Sequence, residues 1–154
     1  MTRINVIDVS LLTDQHLMAE YRELPMIAGS LRRSLKSKNG LPKVPPIYKL
    51  GSGHVTFFYN KGLFLYRRYN AIIEELLKRG YRLDSGREVD FDTFKDNGLY
   101  GDWIANEIDL LVNANRITQR IMEKFNFYKY FGKPLVTLDN KVFEDILKPK
   151  KLFL

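Results

Sequence analysis

Four positions near the start of the chain carry the side chains and the amine best suited to chemistry: Thr2, His16, Glu20 and Glu23. A small second residue allows removal of Met1, which exposes the α-amine of Thr2. That amine has a reference pKa of about 7.7–8.0, against about 10.4 for lysine, so roughly a tenth of it is neutral at pH 7. A neutral amine attacks electrophilic carbon and forms imines. Taken alone, a Met-Thr start is more often accident than catalytic design. His16, Glu20 and Glu23 follow at i, i+4 and i+7, which places them on one helical face. A carboxylate beside arginine on such a face suits general acid–base work or stabilisation of a cation. For Glu20 a salt-bridged helix surface is the favoured reading.

Other chemistries are poorly served. The 154-residue chain has no cysteine and only two histidines, His16 and His54, in no His-Glu-x-x-His arrangement. Thiolate metal clusters, disulfides and cysteine nucleophiles are thereby excluded, and no metal site is expected. The "GSGHV" stretch at 51–55 lacks the Gly-Lys-Ser/Thr ending of a phosphate loop, so it reads as a turn and His54 as a structural histidine. The net charge of +7 points to a polyanionic partner, with nucleic acid ahead of an anionic membrane.

Three stretches of helical periodicity must position these groups. The first spans about 14–36, capped by Thr13 or Asp14 and kinked by Pro25. The second spans about 62–79, with a core stripe of Tyr66, Tyr69, Ile73 and Leu76, and with Gly80 as its C-cap. The third spans about 102–124, with Leu110, Ala114, Ile117 and Ile121 facing the core. Long irregular stretches at 37–60 and 81–101 join them. "HVTFFY" at 54–59 has strand propensity but no second strand to pair with, so an extended core-packing segment is expected. Asp139 can cap a short amphipathic helix ending at Leu147. The fold class expected is all-α, a single compact domain at 1–134 with a C-terminal extension at 135–154. With 45% hydrophobic and 28% charged residues, no bilayer-length apolar run and no signal pattern, the expectation is an intracellular protein that is neither secreted nor membrane-bound.

Basic residues recur at helical spacing. Arg22, Arg33 and Lys36 share a face of the first helix with Met26. Arg116, Arg120 and Lys124 form a stripe on the third. Such stripes suit phosphates, while a solvated face remains the competing reading for each alone. "FNFYKYFGK" at 125–133 alternates aromatic and basic side chains, as a strip that stacks on bases and holds backbone would. Closure of the core competes with that reading for Phe125 and Phe127.

"MTRIN", "DQHLMAEYRELP", "GHVTFFY", "LKRG", "GD" and "YKYFGK" occur in this order. With similar gaps between them, they resemble the phage-type pyrimidine-dimer DNA glycosylases, the phage endonuclease V family, from about Met1 to Lys133. The resemblance implies that Thr2 is the nucleophile and Glu23 the essential carboxylate. It implies DNA contacts by Arg3, His16, Arg22, Arg116 and Arg120, with Lys124, Phe127, Tyr128, Lys129, Tyr130 and Lys133 along the third helix and aromatic strip. The implied fold threads the N-terminal segment between helices. The implied enzyme is a monomer with no cofactor that excises the 5′ base of ultraviolet-induced dimers in double-stranded DNA. It then cleaves the strand by β-elimination, at abasic sites as well. Three positions depart from the best-known member: Met26 replaces a phosphate-binding arginine, Phe127 a tryptophan, and Asn106 a histidine. Two other readings stay open: a non-catalytic nucleic-acid-binding protein, and a glycosylase/lyase for another lesion.

Overall fold

The structure is a computed structural model that describes residues 3–148. It is all-α apart from one two-stranded hairpin. In chain order it contains a 3₁₀ turn (Val9–Leu11), α1 (Asp14–Lys36), α2 (His54–Phe57), α3 (Gly62–Lys78), α4 (Phe91–Asp96) and α5 (Glu107–Glu123). Strands β1 (Lys129–Tyr130) and β2 (Lys133–Pro134) follow, and then α6 (Asn140–Leu147). Among the described residues no helix is long and apolar enough to cross a membrane.

Helix α1 starts where Thr13 accepts a hydrogen bond from the His16 backbone N–H, and it runs unbroken through Pro25. Its buried face, Leu17, Tyr21, Leu24, Ile27, Ala28 and Leu31, recurs at helical spacing and packs against α3. The Tyr21 and Tyr69 rings stack there at 5.7 Å. The core stripe of α3 differs from expectation. Leu65, Tyr69, Ile72 and Leu76 are buried, whereas Tyr66 is 44% exposed. Arg68 occupies a core position with no exposed surface, because Glu20 of α1 neutralises it across the interface. The helix closes on Arg79, and Gly80 follows in the left-handed region at φ 88°.

Residues 54–59 do not form the extended segment that propensity suggests. His54–Phe57 make one helical turn, and the amides of Phe57, Phe58 and Tyr59 bond to the carbonyls of Gly53, Val55 and Thr56. With no strand alongside, an extended segment would bury unpaired amides; the turn satisfies them locally while Phe57 and Phe58 pack on Trp103. Helix α5 begins at Glu107 rather than near Asp102. Asn106 and Asp109 form a reciprocal capping box that fixes this start, and Trp103 turns inward to the aromatic cluster before it. The stretch 81–101, expected to be irregular, contains α4. Its Phe94 side chain approaches Gly62 so closely that a Cβ there would lie 2.7 Å from the Phe94 Cβ.

The aromatic strip folds as the hairpin. Phe131 (φ 50°) and Gly132 (φ 74°) form its two-residue turn, with positive φ at both central positions. The Asp14 carboxylate accepts the amides of both residues, at 3.1 and 2.8 Å, and so docks the hairpin on the first turn of α1. Arg79 bonds the same carboxylate and packs over both the Tyr130 and Phe131 rings. Beyond the hairpin, Asp139 caps α6, which packs on α5, and Thr118 donates to the Leu147 carbonyl at 2.6 Å.

Candidate active site

The segment from Arg3 to Asp8 passes between the helices as chain that belongs to none of the named helices or strands. Side chains satisfy its backbone instead. The Arg3 N–H donates to Glu23 Oε2 at 2.8 Å, and the Ile4 N–H donates to His54 Nε2 at 2.7 Å. The Tyr48 hydroxyl donates to the Ile4 carbonyl at 3.0 Å. His54 must therefore accept at Nε2 and donate from Nδ1, which lies 2.8 Å from the Lys49 carbonyl. Burial holds its pKa below the usual histidine value and keeps it in this neutral form. His54 is thus a structural residue, as its surroundings in sequence suggest.

Around this entry lies a cavity of about 220 Å³ lined by Arg3, His16, Glu23, Arg116 and Arg120, with Asn5 and Glu20 at its floor. His16, Glu20 and Glu23 share one helical face as expected, yet their roles separate. Glu20 is buried and pairs with Arg68 at 2.6 and 2.9 Å, so it is a core ion pair rather than a surface one. Glu23 stays half-buried at the cavity wall.

Three guanidinium groups face this space. Burial lowers the pKa of Arg3, and the neighbouring charges of Arg116 and Arg120 lower it further. The Nε atoms of Arg116 and Arg120 are buried without a hydrogen-bond partner, while Arg120 also reaches Glu123 at 3.2 Å. Donors held this way suit an anion with several oxygens, and a phosphodiester is one.

His16 stacks on Tyr128 with ring centroids 4.6 Å apart and planes 7° from parallel. Thr13 Oγ1 lies 2.7 Å from its Nδ1. Burial, then the charges of Arg3 and Arg120, lower its pKa to about 4, so near neutral pH it offers a hydrogen-bonding ring and no charge. This stack makes one wall of a second cavity of about 440 Å³, which shares Arg3, His16 and Arg120 with the first and adds Phe127 and Gln15.

The remaining predicted residues divide. Phe127, 58% exposed, is the aromatic face open to a ligand. Tyr128 is buried, with one face covered by His16. Tyr130 bonds the Ser10 carbonyl at 2.8 Å and packs on Arg79, outside both cavities. Lys124, Lys129 and Lys133 are exposed. Arg22 is exposed on α1 and lines neither cavity. Thr2 lies outside the described residues.

The family model described as pyrimidine dimer DNA glycosylase matches residues 1–89, more than half of the 154-residue chain. The chain belongs to the pyrimidine dimer DNA glycosylase family. The matched span holds Arg3, His16, Glu20, Glu23, His54 and Arg68, and it ends before α5 and the aromatic hairpin. As a pyrimidine dimer DNA glycosylase the protein takes DNA as its substrate, which suits the cation-lined cavity. The departures acquire local meanings. Asn106 is the N-cap of α5, and Met26 is an exposed side chain on α1.

Several residues that build the site were not legible as such. Asn5, Asn113 and Arg68 hold the threaded segment, and Asp14 with Arg79 docks the hairpin that carries Tyr128. The signal for them in sequence is weak: polar residues at buried helical positions, Arg68 three after Leu65 and Asn113 three after Leu110.

Proposed function

We propose that the chain excises the 5′ pyrimidine of cyclobutane dimers in duplex DNA and then cleaves the strand, with the Thr2 amine as nucleophile and Glu23 as the carboxylate. The Arg3 N–H bond to Glu23 carries this reading. Thr2 is covalently joined to that nitrogen, and one residue of chain reaches at most about 3.6 Å. The amine of a chain beginning at Thr2 is therefore one residue along the chain from the nitrogen that bonds the carboxylate.

The amine nitrogen bonds to the anomeric sugar carbon as the glycosidic bond breaks, and the base departs with the electron pair. Positive charge grows on the sugar in this step, and ionised Glu23 opposes it. Opening of the sugar ring gives an imine to Thr2. Its cationic nitrogen acidifies the adjacent C2′ proton, which Glu23 removes. The released pair forms the C2′–C3′ double bond and expels the 3′ phosphate. Arg3, Arg116 and Arg120 hold the phosphodiesters flanking the lesion, and Arg3 also disfavours protonation of the amine. A dimer weakens its duplex, so extruding a nucleotide costs less there than in intact DNA.

The test is borohydride reduction during reaction with a duplex holding one defined dimer, followed by mass spectrometry of the cross-linked peptide. The adduct is expected on Thr2 and should vanish when the N-terminus is acetylated. An adduct on a lysine, or full trapping by acetylated protein, overturns the assignment of Thr2. Equal or faster trapping on an oxidised purine would replace the dimer as substrate.

A further inference from the structure

Residues Ile4, Asn5, Val6 and Ile7 are all buried, so this central part of the threaded segment has no solvent face. Alternation of apolar and polar side chains ordinarily fixes the register of an extended chain, and it gives little guidance where both faces are covered. A closed polar ring supplies the register instead. Asn113 of α5 accepts at Oδ1 from the amides of Val6 and Ile7, at 2.7 and 3.3 Å. Its own amide donates to Asn5 Oδ1 at 2.8 Å, and the Asn5 amide donates to Glu20 Oε1 at 2.8 Å. Glu20 pairs with Arg68, which returns to the segment by donating to the Ile7 carbonyl at 2.6 Å.

A slip of one residue would break every one of these bonds and displace the N-terminus by about 3.3 Å along the segment. Asn113 is 1% exposed and sits three and seven residues before Arg116 and Arg120 on the same helix. The face of α5 that presents cations to the cavity therefore also grips the chain leading to the amine. On the reading of Thr2 as nucleophile, we propose that Asn113 is a positioning residue. It fixes the register of the N-terminal segment, and so the place of the attacking amine relative to Glu23 and to phosphates held by Arg116 and Arg120.

Single-turnover trapping on dimer-containing duplex, measured beside DNA affinity, tests this. Asn113→Ala should bind duplex like wild type yet form the Thr2 adduct more slowly by on the order of a hundredfold, the cost of an ångström-scale misplacement. Amide exchange at Val6 and Ile7 should accelerate. Asn113→Asp keeps the acceptor for both amides but cannot donate to Asn5 Oδ1, so its rate should fall between those of Asn113→Ala and wild type. Leu76→Ala, a cavity in the α3 core remote from the ring, should lose stability but trap normally. Should Asn113→Ala not fold, Asn5→Ala cuts the link to Glu20 while leaving both amides their acceptor, and it should slow trapping too. Wild-type trapping rates in the foldable ring variants overturn the proposal, as does an equal slowing in Leu76→Ala. A wild-type protein that traps nothing at Thr2 defeats the functional reading itself, and the positioning role with it.

Discussion

Glu23 is assigned two tasks at one position, opposing a developing sugar cation and later taking a proton, and both need its negative charge. Its Oε2 already accepts the Arg3 amide, which orients the carboxylate toward the start of the chain. Glu23→Gln keeps the size and an acceptor for that amide but removes the charge. It should bind dimer-containing DNA nearly as wild type does and lose excision by about a hundredfold or more. Near-normal cleavage of a defined dimer by this variant would make the carboxylate structural. His16 gives a second test at this scale. Its folded pKa of about 4 lies below the ordinary histidine value of 6.5, so between these values the unfolded chain binds a proton that the folded protein refuses. Stability from this source is therefore lost as pH falls from about 6.5 toward 4. His54 is shifted in the same direction by burial. The stability difference between wild type and His16→Asn should change across that window in favour of the variant, as read by urea denaturation at several pH values. A constant difference would mean that the ring is not held neutral.

At the scale of elements, α5 is the helix on which DNA affinity is proposed to depend. Its capping box fixes where it starts, and its apolar stripe of Leu110, Ala114, Ile117 and Ile121 fixes its rotation. That rotation brings Arg116 and Arg120 to the cavity and leaves Lys124 exposed at the C-terminal end. Phosphate contacts hold backbone and carry no lesion information. Arg116→Ala or Arg120→Ala should thus weaken binding to damaged and undamaged duplex alike. Each should also make the dependence of log affinity on log salt shallower by roughly one for every phosphate no longer neutralised. An unchanged salt slope on undamaged duplex would return the stripe to the status of a solvated face. The hairpin is the other element with a defined task, since Asp14 and Gln15 at the start of α1 hold it where Tyr128 covers His16.

In the whole molecule, the buried Glu20–Arg68 pair joins α1 to α3 and supports the threaded segment at Asn5 and Ile7. Removing one partner leaves an uncompensated charge in the core. Arg68→Met should therefore destabilise the fold by about 3–5 kcal/mol, while Glu20→Gln/Arg68→Met should lose less because no charge is stranded. Urea unfolding of both variants checks this, and a single mutant as stable as wild type would refute it. The long helices and the face shared by His16, Glu20 and Glu23 were legible in the sequence, because helical periodicity is a local property that side-chain types report directly. The N-terminal block likewise carried the family on residue identity alone. The helical turn at His54–Phe57, the Phe131–Gly132 hairpin turn and the late start of α5 were not legible. Each is decided by which backbone amides find partners: carbonyls within the turn at 54–57, the distant Asp14 for the hairpin, and the capping box for α5. The burial of Arg68, the grip of Asn113 on Val6 and the meeting of Arg3 with Glu23 belong to the same class. A buried charge or amide reads as surface in sequence until packing supplies the group that satisfies it, and only the tertiary structure does so.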